Sequence, residues 1–322
     1  MKAIIARQPG EADVLELVEV PDPTPEAGEL LVRVRAAGVN RADILQRKGG
    51  YAPPPGASPI LGLELAGEVV QAAGDWRVGD RVMAVVTGGA YAELATVPAS
   101  VAMPVPAAFT DQQAAAIPEA FLTAYLNLFM LGRLQPGETV LIHAGASGVG
   151  TAAIQLARVA GARVLATASS PEKLARCEAL GAEIAISYLK DSFGRVALEA
   201  TGGRGVDLIL DFVGAPYWSE NLTSLARGGR LILIGFLGSS KGALDLGPVM
   251  RKNLTVTGTT LRGTPLEEKA ALTQAFVEFA LPKIECGELA PVLDSVYPLR
   301  DAAEAHRRME ANRNIGKIVL SV

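Results

Sequence analysis

The run Gly145-Ala-Ser147-Gly148-Val149-Gly150 follows the apolar stretch 139–142 and opens an apolar-striped segment over residues 151–159. Small residues there let the backbone approach a pyrophosphate, whose charge is met by free amide N–H groups and the positive end of a helix dipole. Against the dinucleotide template G-x-G-x-x-G, Ser147 stands at the second glycine position and Gly148 adds a glycine elsewhere, so the loop alone is a weak signal. The next unit strengthens it. The strand-like stretch 163–167 is followed by Ser169, Ser170 and Lys173, about twenty residues past the loop, where an NAD enzyme places an acid for the ribose 2′-hydroxyl. Two hydroxyls and an ammonium suit a 2′-phosphate, which favours NADPH. A purely structural account is also complete: a tight β–α turn of small residues, then Ser170 as N-cap with Pro171 at the first helical position. Both can hold together, since the cap loop is where the phosphate would lie.

Other residues carry chemistry less specifically. Phe212-Val213-Gly214 and Gly235-Phe236-Leu237-Gly238 follow the apolar runs 208–211 and 231–234. Open α/β sheets bind ligands at such carboxyl ends, and close-packing turns are the competing account. Tyr51 lies between Gly49-Gly50 and Ala52-Pro-Pro-Pro55, where its ring can stack on a planar ligand or its hydroxyl can donate a proton; the alternative is packing under the loop. Asn40 precedes a helical stretch and reads as an N-cap, with Asp43 at the third helical position. Thr123 can back-bond its own helix, and Tyr188 can simply end a strand at the surface. Only Cys177, Cys286, His143 and His306 occur, which furnish neither a zinc framework nor a set of disulfides, so these four read as structural and no metal site is expected.

These groups need elements to hold them. A chain of 322 residues suits roughly two domains. The 34 glycines, about 11% against a usual ~7%, exceed what ordinary turns use, and the loops above take up part of that excess. A net charge of −4 with pI near 5.4 provides no basic field for nucleic acid or an anionic membrane. The N-terminal apolar stretch is too short for a secretory signal, and no run approaches about 18 apolar residues, so the expectation is a cytoplasmic protein whose two thiols fit a reducing compartment. The first ~115 residues are β-rich, with runs at 1–6, 14–20, 29–38, 65–73, 80–86 and 90–97, as in a small barrel or sandwich. A helix is expected over 110–131. Strand-like runs at 138–143, 163–167, 208–211, 230–234 and 255–259 then alternate with helical segments such as 150–160 and 171–180, which argues for βαβ units and a parallel sheet in an α/β protein. The chain closes with a helix over 299–310 and a strand over 317–322 that returns to the first domain. Residues 253–258 read as an edge strand available for dimer pairing.

The strings Asn40-Arg-Ala-Asp-Ile-Leu-Gln-Arg, Gly50-Tyr-Ala-Pro-Pro-Pro-Gly-Ala-Ser, Ala116-Ile-Pro-Glu-Ala, Leu141-Ile-His-Ala-Gly, Tyr297-Pro and Met309-Glu-Ala-Asn-Arg-Asn-Ile-Gly-Lys-Ile-Val-Leu resemble the zinc-independent medium-chain dehydrogenase/reductases. Within that family they look most like the tumour-suppressor-inducible quinone oxidoreductase branch. The strings span nearly the whole chain in order. The resemblance implies a GroES-like β-barrel catalytic domain, discontinuous over 1–118 and 285–322, around a Rossmann doubly wound parallel-sheet NADP-binding domain over 119–284. It further implies a cleft between them, NADPH as hydride donor and a homodimer. By resemblance, Asn40 lies beside the nicotinamide and substrate, Thr123 holds the cofactor carboxamide, Tyr188 joins Lys173 at the adenosine phosphate, and the segment with Asn314 and Lys317 reaches the cofactor. Related alcohol dehydrogenases hold zinc with Cys and His, which this chain lacks at matching places. The implied function is zinc-independent hydride transfer to quinones or related conjugated carbonyls. Alternatives are a zinc-free enoyl or enal reductase and a non-enzymatic NADPH-binding protein.

Overall fold

A computed structural model describes residues 1–322 and divides into two compact units, Met1–Leu122 with Leu261–Val322, and Thr123–Thr260.

The first unit is built on the strand Glu29–Val39. Its first half alternates, with Leu30, Val32 and Val34 buried, as a strand with one face in the core requires. It pairs antiparallel with Glu64–Gln71 on one edge, and on the other with Leu94–Pro98 near its start and Lys317–Ser321 near its end. Arg81–Val85, Ala102–Pro104 and Leu293–Pro298 complete a seven-stranded sheet. The last strand does return as expected, setting Ile318 opposite Val39 and Leu320 opposite Ala37. Leu293–Pro298 and Ala102–Pro104 escape the sequence pattern because one is partly exposed along its length and the other has only three residues.

The units divide at 122/123 and 260/261, whereas the expected boundaries were 118/119 and 284/285. The shift comes mostly from the helix Leu266–Glu285. Its stripe Leu272, Phe276, Ala280 and Ile284 is buried, and Phe276 meets Phe121 with ring centroids 6.3 Å apart, so its apolar face is satisfied within the first unit. The single helix expected over 110–131 is interrupted: Asp111–Ala114 and Pro118–Tyr125 are α-helical, and Leu126–Leu131 is a π-helix. This segment comes closer to a membrane span than expected, with mean hydropathy 1.4 over its most apolar window, yet 67% of that window is buried within the protein.

In the second unit six parallel strands run in the order Ile184–Ser187, Arg163–Ala168, Thr139–Ile142, Val206–Asp211, Leu225–Leu233, Thr255–Gly258. In chain order this is 3-2-1-4-5-6, the doubly wound arrangement whose switch point lies between Thr139–Ile142 and Val206–Asp211. Thr139–Ile142 is buried at every position, which explains its unbroken apolar reading. Thr255–Gly258 is an edge strand, as expected.

Candidate active site

The carboxyl edge of the parallel sheet gathers most of the expected cofactor residues. After Thr139–Ile142 the chain turns through Ala144 at φ +48° and enters the helix Gly148–Val159, with Ser147 as N-cap accepting from the Gly150 N–H at 3.0 Å. Gly145 and Gly150 are buried, and Ser147, Gly148 and Val149 keep partial exposure. A Cβ on Gly150 would lie 2.3 Å from the Ala144 carbonyl oxygen and 2.7 Å from that of Gly145, so only glycine lets the helix abut the loop. After Arg163–Ala168 come Ser169 and Ser170; Ser170 caps the helix Pro171–Leu180 by accepting from the Lys173 N–H at 3.3 Å. Tyr188 follows Ile184–Ser187 and is 41% exposed, its ring centroid 6.4 Å from that of Tyr217. Gly214 follows Val206–Asp211 at φ +89°, where a Cβ would strike the Ser239 carbonyl oxygen. Gly235, Phe236 and Leu237 follow Leu225–Leu233, and the latter two side chains are more than half exposed. Thr123 is buried, and its carbonyl accepts from Asn127 Nδ2 at 2.7 Å.

A buried network ties three of these strand ends together. Asn221 Nδ2 donates to Asp211 Oδ2 at 3.1 Å, so its Oδ1 faces His143 Nε2 at 2.7 Å and that nitrogen carries the hydrogen. His143 Nδ1 then accepts from the Thr167 hydroxyl at 3.1 Å. Asp211 Oδ1 accepts from the Val213 and Gly214 N–H groups at 2.6 and 3.1 Å, which fixes the loop after its strand. Burial lowers His143 to about 4 and raises Asp211 to about 6. His143 is therefore a neutral structural residue, as its position at a strand end led us to expect.

In the first unit Asn40, Glu64 and Lys317 form a second buried cluster. Lys317 is 4% exposed, and its ammonium donates to the Val39 carbonyl at 3.0 Å, to Asn40 Oδ1 at 2.6 Å and to Glu64 Oε1. All three N–H donors are thus engaged within the unit. Glu64 also accepts from Asn40 Nδ2 and, at its other oxygen, from the Glu119 N–H at the start of Pro118–Tyr125, both at 2.8 Å. The approach is possible because residue 38 is glycine: a Cβ there would lie 2.1 Å from Glu64 Oε1. Asp43 accepts from the Asn40 N–H at 2.8 Å, the capping contact expected for Arg41–Arg47, while the Asn40 side chain serves Glu64 and Lys317. Asn314 donates to the Gly316 carbonyl at 3.0 Å, in the turn before Lys317–Ser321.

Asp43 continues into a directed chain. Arg47 Nη1 can only donate, so His306 Nδ1, 3.2 Å away, accepts; His306 Nε2–H then donates to Tyr91 Oη at 3.2 Å, and the Tyr91 hydroxyl donates to Asp43 Oδ2 at 3.0 Å. Burial and the Arg47 charge lower His306 to about 3, and burial raises Asp43 to about 6. His306 is structural too, holding the helix Ala302–Glu310 to the base of Arg41–Arg47.

Tyr51 is partly buried, and the Arg262 guanidinium carbon stands 5.2 Å from its ring centroid. Glu119 is near both, and Lys269 adds a second cation. Burial, helped by the Glu64 charge, raises the Glu119 carboxyl from 4.5 to about 8. The unfolded chain releases this proton above about pH 4.5 while the folded chain keeps it to about pH 8, so this group removes stability as pH rises through that window. Glu119→Gln abolishes the effect. Urea unfolding is expected to favour the variant increasingly from about pH 5 to about pH 8, by on the order of 3–4 kcal/mol. A difference independent of pH would show that Glu119 ionises normally.

The sequence reading missed Glu64, Glu119, Lys269 and Arg262. Glu64 had a usable signal, a lone charge inside the apolar stretch Leu61-Gly-Leu-Glu-Leu-Ala66. Arg262 had none, since its partners Thr87 and Tyr51 are far away in sequence. No group of three or more His, Cys, Asp or Glu side chains is placed to hold a metal ion.

Residues 26–107 match the alcohol dehydrogenase GroES-like domain, and residues 148–278 match the family described as zinc-binding dehydrogenase. The quinone oxidoreductase of Rattus norvegicus is 32% identical over 99% of this chain and 97% of its own length. The crystal structure of the Thermus thermophilus quinone oxidoreductase, solved also with NADPH, is 39% identical with a TM-score of 0.84 and full coverage of both chains. A phenolphthiocerol/phthiocerol polyketide synthase polypeptide of Mycobacterium tuberculosis is 35% identical over 98% of this chain, which spans only 14% of that protein's length. The GroES-like and parallel-sheet units, matched end to end by these relatives, show that the chain belongs to the medium-chain dehydrogenase/reductase family as a member of quinone oxidoreductase type.

Proposed function

We propose that the chain is an NADPH-dependent reductase that passes hydride to quinones or related conjugated carbonyls without a metal ion. The observation that carries this reading is the carboxyl edge of the parallel sheet, where a capped glycine loop, Ser169-Ser170 with Lys173, and the loops at Gly214 and Gly235 come together. The residues fit a dinucleotide: Gly150 has no room for a Cβ, and the helix-start residues Ser147 to Val149 keep the exposure a pyrophosphate needs. When bound, NADPH supplies the hydride. The amides of Gly148 and Val149 hold the pyrophosphate, with Gly145, Ser147 and Gly150 shaping the loop around it; Ser169, Ser170, Lys173 and Tyr188 receive the 2′-phosphate; Gly214, Gly235, Phe236 and Leu237 line the remaining length. Thr123, Asn40 and Asn314 orient the nicotinamide end, with Lys317 acting through Asn40, and Tyr51 lies against the acceptor. The protein is proposed to be a cytoplasmic homodimer paired through Thr255–Gly258. Its two cysteines, one buried and one exposed, are unpaired, which is compatible with a reducing compartment.

The direct test mixes the protein with NADPH and a simple quinone and follows the loss of reduced-cofactor absorbance. Lys173→Ala is expected to weaken NADPH binding about 10- to 100-fold, the worth of a charge-assisted contact, and to leave NADH binding unchanged. An unchanged preference would remove the basis for NADPH. The similarity to a polyketide synthase segment supports a second reading, an enoyl reductase. Comparing rates on a quinone, a 2-enal and an enoyl thioester separates the two, and tight NADPH binding with no turnover on any of them would identify a binding protein.

A further inference from the structure

We propose that the Arg262 guanidinium, lying over Tyr51, receives the carbonyl oxygen of the acceptor and holds the negative charge that this oxygen gains during reduction; the assignment rests on the reductase reading above. Arg262 is 6% exposed. Its Nε and Nη2 both donate to the Thr87 carbonyl, at 2.9 and 2.6 Å, and Lys269 Nζ donates to the Arg262 carbonyl at 2.8 Å. The side chain is therefore held at its head and its residue at the backbone. Nη1 is different: it is buried and has no hydrogen-bond partner. Buried donors on a charged group are strongly disfavoured without an acceptor, so an N–H pair left open in an otherwise fixed fork marks a place for one.

The surroundings say which kind. The guanidinium carbon is 5.2 Å from the Tyr51 ring centroid, within cation–π range, so the fork that carries the open donor is packed against an aromatic ring. The charged or titratable groups facing it are Lys269, Glu119, Asp43 and Tyr51. Burial raises Glu119 to about 8 and raises Tyr51 as well, so near neutral pH the one anion among these groups is Asp43, raised to about 6 and already met by the Asn40 N–H and the Tyr91 hydroxyl, against two cations. A neutral, flat molecule whose oxygen becomes negative matches this field. In the reaction, hydride from NADPH adds to the conjugated acceptor, the displaced π pair moves onto the carbonyl oxygen, and NADP⁺ is left. One solvent proton completes the two-electron, two-proton change. Arg262 neither gains nor loses a proton.

The probe is 4-nitrophenol, a planar molecule that carries its negative charge on an aryl oxygen and reports it by colour. With the full-length chain, titrated with and without NADP⁺, bound nitrophenol is expected to ionise about one pH unit below its free value, a tenfold preference for the anion. Arg262→Met is expected to abolish that shift. It should also lower kcat/KM at least about 30-fold, and more for electron-rich quinones and enals than for electron-poor quinones, because the more basic oxyanion needs the cation more. A merely structural role would lower all acceptors alike. If Arg262→Met does not fold, Arg262→Lys keeps a cation and loses the fork; a partial shift and a smaller loss are expected there, and wild-type values would overturn the proposal. Nitrophenol that binds the wild-type chain as the neutral phenol, or a shift that survives Arg262→Met, would overturn it equally. Absence of turnover in the wild-type chain counts against the reductase reading alone, since the nitrophenolate shift decides Arg262 without it.

Discussion

Lys317→Met is expected to destabilise the first unit by about 3–5 kcal/mol, the usual consequence of leaving one partner of a buried ion pair alone. Glu64 is fully buried and Lys317 nearly so. Removing the ammonium takes away three hydrogen bonds and leaves a carboxylate met only by Asn40 Nδ2 and the Glu119 N–H. Calorimetry on the whole chain should show the transition of the first unit falling by roughly 6 to 20 °C, with that of the second unit little moved. Glu64→Gln should do comparable damage, and the double replacement of both residues by apolar ones should recover part of the loss, because no orphan charge then remains. A loss below about 1 kcal/mol from either single change would mean that the pair is effectively solvated. Asn40 is expected to lose its orientation along with Lys317, so reductase activity should fall more steeply than stability alone accounts for.

Gly150→Ala is expected to weaken NADPH binding at least tenfold and to lower the stability of the second unit by about 1–3 kcal/mol. The added carbon would fall 2.3 Å from the Ala144 carbonyl oxygen, and because the neighbouring atoms are backbone, the helix start must move away from the loop. That movement displaces the amides proposed for the pyrophosphate. Gly235→Ala is the informative comparison. Its Cβ would meet protein only at 3.7 Å, from the Phe212 carbonyl oxygen, so stability should hold and any loss of NADPH affinity would report crowding against the cofactor itself. Fluorescence titration with NADPH, together with thermal unfolding, reads both variants. Equal affinity of Gly150→Ala and the wild-type chain would show that the glycine loop serves packing alone.

The parallel sheet was legible from one dimension because Thr139–Ile142 is buried at every position, the runs 208–210 and 231–233 are apolar, and its loops carry their own markers. Ser147, Ser170 and Pro171 occupy the cap positions their types prescribe, and the strand over 317–322 was recognisable by its apolar run. The 110–131 segment was less legible. Its apolar spacing is helical throughout, but Pro118 and the π-helix at Leu126–Leu131 divide it. The helix Leu266–Glu285 went to the wrong unit because amphipathicity shows that a helix buries a face and says nothing of which layer covers it.

By itself the sequence determined the local and repetitive features: five of the six strands of the second unit with the helices after the first two, the glycine loop with its following serines and lysine, and the shortage of His and Cys. Those follow from residue type and short spacing, the range over which caps, turns and hydrophobic periodicity act. Only the tertiary structure decided that Lys317 and Glu64 share one buried contact across 253 positions, that His306 and Tyr91 form a directed chain to Asp43, and that Arg262 stands over Tyr51 with one donor pair open. Such contacts depend on sheet register and on which groups lose their water together, and neither quantity is carried by any single stretch of chain.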